Sequence, residues 1–193
     1  MGLENRCFVT LILASGSPRR LVLLQELGLS PVVRVANIDE TPHSGEPADD
    51  YVGRLAVEKG RAVMTASEDI TEADVVLSAD TIVVSDGQLL GKPRNDEHAA
   101  EMLSQLSARS HEVLTGVAVH AAGDLTTHVE RTVVHFAELS PADIAWYVGT
   151  GEPADKAGAY AIQGRGGAFV TGIEGSFDNV IGLPRHPIRH LLR

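Results

Sequence analysis

The stretch VVLSADTIVV, residues 75–84, constrains the fold of this chain more than any other stretch. It is an apolar run of the length of a buried strand, and Asp80 lies inside it. The Asp86-Gly87 pair that follows is typical of a two-residue hairpin turn, so residues 88–91 are expected to return as a short strand. An unpaired buried carboxylate is costly. Asp80 is therefore expected to be ion-paired, metal-bound or partly exposed at a functional site, and the structural alternative is a strand-end aspartate paired with a neighbouring arginine.

Strand and helix patterns alternate along the rest of the chain. Helices are expected at residues 18–27, 50–67, 96–106 and 141–148, with a short one at the C-terminus. Ser17-Pro18 and Ser140-Pro141 each provide an N-cap followed by a proline in the first turn, and Asn95 is a third N-cap. Further strands are expected at residues 8–14 and 32–36, in two runs joined through 121–124, and in the glycine-rich segment after residue 157.

The order of these elements mixes crossovers with hairpins. Such an order predicts an α/β fold with a mixed sheet flanked by helices, and not a purely doubly wound sheet. We find no internal repeat and no linker, so a single domain over residues 1–193 is expected.

The net charge of −10 argues against duplex DNA or RNA and against a membrane surface as partners, because both require broad basic patches. A small anionic ligand needs only a few well-placed cations. The sequence has no apolar run long enough to span a membrane and no signal-peptide pattern near its start. Its single cysteine, Cys7, is expected to be a small buried residue and not a nucleophile. These features favour a cytoplasmic protein.

Most of the positively charged residues are arginines. The chain has thirteen arginines and only three lysines, Lys59, Lys92 and Lys156. In a chain with such a bias, lysine is expected to be kept where a compact ammonium is needed. The alternative is that these three lysines are present by chance. The stretch GSPRR, residues 16–20, combines small residues, a helix start and two arginines, as an anion site does. A capped helix with two solvated arginines is the alternative.

Several familiar motifs are excluded. GQLLGKP is one residue short of a Walker A loop and has Pro93 at the magnesium-binding position. GRGGAF does not follow a strand and open a helix as a dinucleotide fingerprint must. His186 and His190 lack a third ligand and are expected on the surface of the terminal helix. A polar set remains, in which cations can hold a polyphosphate and carboxylates can hold Mg²⁺ or Mn²⁺ and activate water: Ser15, Arg19, Arg20, Asp39, Glu40, Lys59, Asp80, Lys92 and Gln163.

At these residues the chain resembles the Maf family of nucleoside triphosphate pyrophosphatases. The similar stretches run nearly end to end and in the same order: LILASGSPRR, IDE, LAVEKGRAV, SADTIVVSDGQLLGKP, EMLSQLSARSHEVLTGVAV and DKAGAYAIQGRGGAFVTGIEGSFDNVIGLP. Two features are less typical of the family: Gly60 in the lysine helix, and the pair Phe177 and Asn179.

The resemblance implies an elongated mixed sheet with flanking helices and two lobes around a cleft, of the Maf and inosine triphosphate pyrophosphatase kind, often as a homodimer. It implies a house-cleaning hydrolase that uses a divalent metal ion, Mg²⁺ or Mn²⁺, to cleave between the α- and β-phosphates. Asp80 falls on the position of the proton acceptor. The phosphate- and metal-site positions are Ser15, Arg20, Glu40, Lys59 and Lys92, with Glu40 and Asp80 assigned to the metal. Arg19, Thr81 and Gln163 fall on positions that sort substrates, in a combination similar to the branch that prefers dTTP and UTP.

Two other functions are considered. One is a sugar nucleotidyltransferase, since LILASGSPRR resembles a triphosphate-gripping loop, although that class usually needs a longer chain. The other is a non-enzymatic nucleotide-sensing or septum-regulating protein, which the family's link to cell-division arrest suggests.

Overall fold

A single mixed sheet forms the centre of the computed structural model, which describes residues 10–191; the prediction for Cys7 lies outside them. The strands of this sheet are β1 Leu11–Ala14, β2 Val32–Arg34, β3 Val75–Ser85, β4 Gln88–Leu90, β5 Ser110–Ala121, β6 Asp124–Phe136 and β7 Val170–Glu174. They lie in the order β2-β1-β3-β5-β6-β7, and β4 pairs with β3 away from that path. Strand β1 is parallel to β2 and β3, and the other pairings are antiparallel. The predicted α/β fold with a mixed sheet is confirmed.

Helices cover both faces of the sheet. They are α1 Pro18–Glu26, α2 Ala48–Ala66, α3 Asp96–Leu106, α4 Pro141–Val148, α5 Phe177–Ile181 and α6 Arg185–Leu191. Helix α2 packs on one face, where Leu55 meets Ile82 and Leu114. The opposite face carries two apolar clusters, one around α1, α5 and α6 and the other around α3 and α4. No helix in the described range is long and apolar enough to cross a bilayer.

Strand β3 changes partners along the edge that faces away from β5. Strand β1 pairs with it as far as Ser78, and β4 pairs with it from Val83 onward. Between these two positions no described strand pairs with residues 79–82 on that edge. Asp80 and Thr81 lie in this gap. Successive side chains of a strand project to opposite faces. Asp80 faces α2, where it bonds Lys59, and Thr81 faces α1, where it bonds Arg20.

The predicted helix starts are observed. The Asn95 side chain accepts a hydrogen bond from the His98 amide, and Ser140 forms a capping box with Asp143. Ser17 occupies the N-cap position of α1, but its side chain makes no capping hydrogen bond. The first turn of α1 therefore keeps amide groups that no capping side chain satisfies.

The C-terminal third is more helical than predicted. Besides β7, it contains α5 and three short 3₁₀ segments at Glu152–Asp155, Ala157–Ala159 and Arg165–Phe169. Segments of three to five residues are too short to show the hydrophobic period that predicts a helix. His186 is exposed, and the side chain of His190 lies outside the described residues.

Gly60 is explained by the packing of α2 on the sheet. A Cβ atom at this position would lie 2.8 Å from Ser78 Oγ and 2.9 Å from His120 Cδ2. Helix propensity alone would favour alanine by about 1 kcal/mol. The close approach of α2 to β3 and β5 leaves no room for that methyl group.

Candidate active site

A cavity of about 370 Å³ lies between the two apolar clusters and is lined by Ile181 of one and Val83 of the other. It also extends around the open edge of β3, so that side chains from both faces of this strand reach it. All the residues with a predicted catalytic, substrate or metal role line it: Ser15, Arg19, Arg20, Glu40, Lys59, Asp80, Thr81, Lys92 and Gln163. Asp39, the remaining member of the polar set, does not line the cavity, and its carboxylate accepts the Thr41 amide at 2.9 Å.

Asp80, Lys59 and Glu40 form an ion-pair cluster at one end of this cavity. Lys59 Nζ lies 2.6 Å from Asp80 Oδ1 and 2.8 Å from Glu40 Oε1. Asp80 is 8% exposed, which agrees with its place in a buried strand. Its partner is a lysine of α2 and not the neighbouring arginine of the structural alternative. The open edge of β3 gives this buried carboxylate access to the cavity.

Arg20 is buried in the wall of the cavity, and its three nitrogen atoms each bond a neutral oxygen. Nε donates to the Gly182 carbonyl at 2.8 Å, and the two terminal nitrogens donate to Ser15 Oγ at 2.9 Å and Thr81 Oγ1 at 3.0 Å. Burial lowers the pKa of Arg20 from its usual value, although the charge of Asp80 opposes this effect. No carboxylate of residues 10–191 lies within ion-pairing distance of Arg20. A guanidinium in this state attracts an anion.

The other polar groups of the cavity differ in their partners. Arg19 approaches Asp155 at 3.8 Å, and Asp155 also pairs with Lys156. Lys92 is exposed and has no ion-pair or hydrogen-bond partner in the described part of the chain. The Gln163 side chain is likewise exposed, and its amide bonds no described residue. Lys92 and Gln163 can therefore both bond a ligand without losing an existing contact.

The acidic loop that carries Glu40 is fastened to α2. The Tyr51 hydroxyl donates to the Glu40 carbonyl at 2.8 Å. Arg54 donates to both oxygens of Glu46, at 2.6 and 2.7 Å, and lowers the pKa of Glu46 to about 2. These contacts hold the Glu40 backbone beside Lys59.

The comparison with known proteins agrees with this geometry. The family described as Maf-like protein matches residues 10–193. The chain belongs to the Maf family. This Maf chain is 55% identical over 188 residues to a dTTP/UTP pyrophosphatase of Anaeromyxobacter sp. (strain Fw109-5), covering 95% of this chain and 88% of that protein.

More distant Maf proteins carry the same name. The dTTP/UTP pyrophosphatase of Myxococcus xanthus (strain DK1622) is 53% identical over 174 residues, or 90% of this chain and 86% of that one. The dTTP/UTP pyrophosphatase of Neisseria gonorrhoeae (strain ATCC 700825 / FA 1090) is 47% identical over 178 residues, which cover 91% of this chain and 88% of that one. Among solved structures, the Staphylococcus aureus Ham1 protein is similar at a TM-score of 0.41 and 14% identity, covering 67% of this chain and 72% of that one, too distant a likeness to carry an argument.

Some lining residues were not predicted to belong to the site of this Maf chain. Asp155, Lys156 and Tyr51 all line the cavity. The scarcity of lysine was a usable signal for Lys156, because all three lysines of the chain line this one cavity. Phe177 and Asn179 do not line it: Phe177 is exposed, and the Asn179 amide donates to the Val113 carbonyl at 2.9 Å.

Three carboxylates line the cavity. Asp155 faces Arg19 and Lys156 with its two oxygens, which leaves Glu40 and Asp80 as the pair that could hold a divalent metal ion. Each bonds Lys59 through one oxygen, and the second oxygen of each makes no hydrogen bond to a described residue. The described chain has no group of three or more metal-binding side chains. Two carboxylates nevertheless fit Mg²⁺ or Mn²⁺, because such ions are commonly bound by one or two carboxylates together with phosphate oxygens and water.

Proposed function

We propose that this protein hydrolyses nucleoside triphosphates to a nucleoside monophosphate and pyrophosphate, with dTTP and UTP as preferred substrates. The observation that carries the proposal is the buried Arg20, which has no carboxylate partner among the described residues and lies in the same cavity as the Asp80 carboxylate. Five cationic and three anionic side chains line this cavity in a chain of net charge −10. The names of the 47–55% identical relatives support the same activity and the same nucleotides.

The residues of the chain divide the work between binding and proton transfer. Arg20 and Lys92 bind the triphosphate, and Ser15 and Lys59 fix the position of Arg20 and Asp80. Asp80 accepts a proton from a water molecule while the oxygen of that water forms a bond to the α-phosphorus. The bond from the α-phosphorus to the bridging oxygen breaks, and pyrophosphate leaves. Arg19, Thr81 and Gln163 contact the nucleoside and select the base.

Glu40 and Asp80 would hold the divalent ion, Mg²⁺ or Mn²⁺. When bound, such an ion neutralises phosphate charge and lowers the pKa of a bound water. The positive side chains then share the charge that develops on the leaving pyrophosphate. We further propose a cytoplasmic homodimer that does not bind duplex nucleic acid; the cell-division role remains a prediction from the family resemblance.

A substrate panel tests the proposal. Purified protein is incubated with Mg²⁺ or Mn²⁺ and each of the eight common triphosphates and several base-modified pyrimidine triphosphates, and pyrophosphate release is measured. We expect the highest kcat/KM with dTTP and UTP. A purine triphosphate as best substrate would contradict the base preference, and absence of pyrophosphate release from all of them would contradict the activity.

A further inference from the structure

A tyrosine and a glutamate outside the cavity lining hold the turn that carries Gln163. We propose that Tyr147 and Glu152, here called the clamp, position the Gln163 amide and thereby set the selectivity for uracil over cytosine nucleotides. This inference rests on the proposed function, because it takes Gln163 as a residue that contacts the base. It assigns to the clamp a positioning role and no contact with substrate.

The clamp bonds the backbone on both sides of Gln163. Before it, the Ala161 amide donates to the Tyr147 hydroxyl oxygen at 3.0 Å. After it, the Arg165 amide donates to Glu152 Oε2 and the Gly166 amide to Glu152 Oε1, both at 3.1 Å. The two clamp side chains are themselves joined, because the Tyr147 hydroxyl donates to Glu152 Oε1 at 2.8 Å. The position of Gln163 thus follows that of the clamp.

The clamp is itself rigidly held. Tyr147 is fully buried near the end of α4, and its ring packs edge-to-face on Phe169 with centroids 5.0 Å apart. Burial alone would raise the pKa of Glu152, but hydrogen bonds from the Gly166 and Arg165 amides lower it below its usual value. Glu152 is therefore a carboxylate at neutral pH, and its two oxygens accept all three of the hydrogen bonds donated to it.

The clamp also explains the glycines that follow Gln163. A Cβ atom on Gly164 would lie against both carboxylate oxygens of Glu152. A Cβ atom on Gly166 would lie 2.6 Å from the Tyr147 hydroxyl oxygen. The GRGG stretch, which is not a dinucleotide motif, thus allows the turn to approach the clamp closely.

Base selectivity depends on how the Gln163 amide is held. The uracil edge offers a carbonyl acceptor and an N–H donor, whereas the cytosine edge offers an amino donor and a nitrogen acceptor. A glutamine amide can bond either edge by rotating half a turn, because it carries one donor group and one acceptor. The clamp fixes the backbone on both sides of Gln163 and therefore the position from which its side-chain amide meets the base. In a loosened turn the amide meets the base from more than one position, and cytosine is admitted.

The experiment compares kcat/KM for UTP and CTP in the full-length protein and in two clamp variants. Glu152→Gln has only one acceptor oxygen, so at least one of the three donors loses its partner, and Tyr147→Phe keeps the ring but loses the hydroxyl. Each variant is expected to lower the UTP:CTP ratio by about tenfold. The matched control is Asp143→Asn, which alters the cap of α4 without touching the turn and should leave the ratio unchanged. Tyr147→Phe keeps the test decisive if Glu152→Gln does not fold.

A double mutant shows whether the clamp acts through Gln163. The ratio of Glu152→Gln combined with Gln163→Ala should equal that of Gln163→Ala alone, because the clamp then has no amide to position. A ratio within about twofold of wild type in both clamp variants, or effects that multiply in the double mutant, would overturn the inference. Wild-type protein that releases no pyrophosphate from any nucleotide would instead overturn the proposed function.

Discussion

Lys59 determines, at the scale of single residues, how two neighbouring carboxylates can share one cavity. Its ammonium bonds Asp80 and Glu40 at 2.6 and 2.8 Å and so offsets the repulsion between them. Each carboxylate keeps one oxygen without a hydrogen bond in the described chain. Asp80 was predictable because a carboxylate in a buried strand needs a reason to be there. Its lysine partner was not, because the contact depends on how α2 lies across β3.

The Asp80→Asn variant should lose kcat by at least about 100-fold, because asparagine cannot accept the proton of the attacking water. Nucleotide binding, measured by calorimetry with UTP, should persist because Arg20 and Lys92 are unchanged. Asp86→Asn, in the exposed β3–β4 turn, is the matched control and should retain wild-type kcat. Wild-type turnover by Asp80→Asn would remove Asp80 from its proposed role.

His111 should make the stability depend on pH. It is 2% exposed, and its Nε2 atom lies 2.9 Å from the Tyr160 hydroxyl. Burial lowers its pKa to about 4 from 6.5. Between these two values the unfolded chain binds a proton that the folded protein does not, so the free energy of unfolding falls as the pH drops below 6.5.

Urea unfolding at pH 7.5 and 5.5 checks this linkage. Between these two pH values the free energy of unfolding of the wild type should fall by about 1 kcal/mol more than that of His111→Gln. The glutamine does not titrate and can still bond Tyr160. Every other titrating group, including His120 with its lowered pKa, is common to the two proteins, so its contribution cancels in the difference between the two losses. Equal losses in the two proteins would show that His111 is not the group responsible.

The gap in the pairing of β3 is the decisive feature at the scale of elements. The pairing of β3 with β1 stops at Ser78 and its pairing with β4 begins at Val83, so Asp80, Thr81 and Ile82 between them can line the cavity. The strand and its Asp86-Gly87 turn could be predicted, because alternation and turn chemistry are local. The gap could not, because it depends on the length and register of two other strands. Gly60 is a similar case: the sequence gives its helix propensity but not the nearness of the sheet.

Gly60→Ala should destabilise the protein by about 1–3 kcal/mol, because the new methyl group would overlap Ser78 Oγ and the His120 ring. Gly53→Ala is the matched control in the same helix. Its Cβ would meet only Val129 Cγ2 at 3.8 Å, an ordinary contact, so up to about 1 kcal/mol of stabilisation is expected. Denaturant unfolding measures both. Stabilisation by Gly60→Ala would contradict the close packing of α2 on β3.

Over the whole molecule, the site depends on contacts between distant parts of the chain. Arg20 donates to the carbonyl of Gly182, 162 positions away, and Arg19 approaches Asp155. The sequence indicated the arginines through the GSPRR loop and the lysines through their scarcity. It could not indicate Gly182 or Asp155, because a backbone carbonyl and a surface aspartate have no distinctive pattern. The resulting concentration of cations in an acidic protein favours a polyanionic substrate.

Product analysis in ¹⁸O-labelled water tests the central claim most directly. The protein is incubated with UTP and Mg²⁺ in labelled water, the products are separated, and their masses are measured by mass spectrometry. Attack on the α-phosphorus predicts UMP and pyrophosphate in equal amounts, with the label in UMP alone. Label in pyrophosphate, or release of UDP and orthophosphate, would contradict the proposed cleavage.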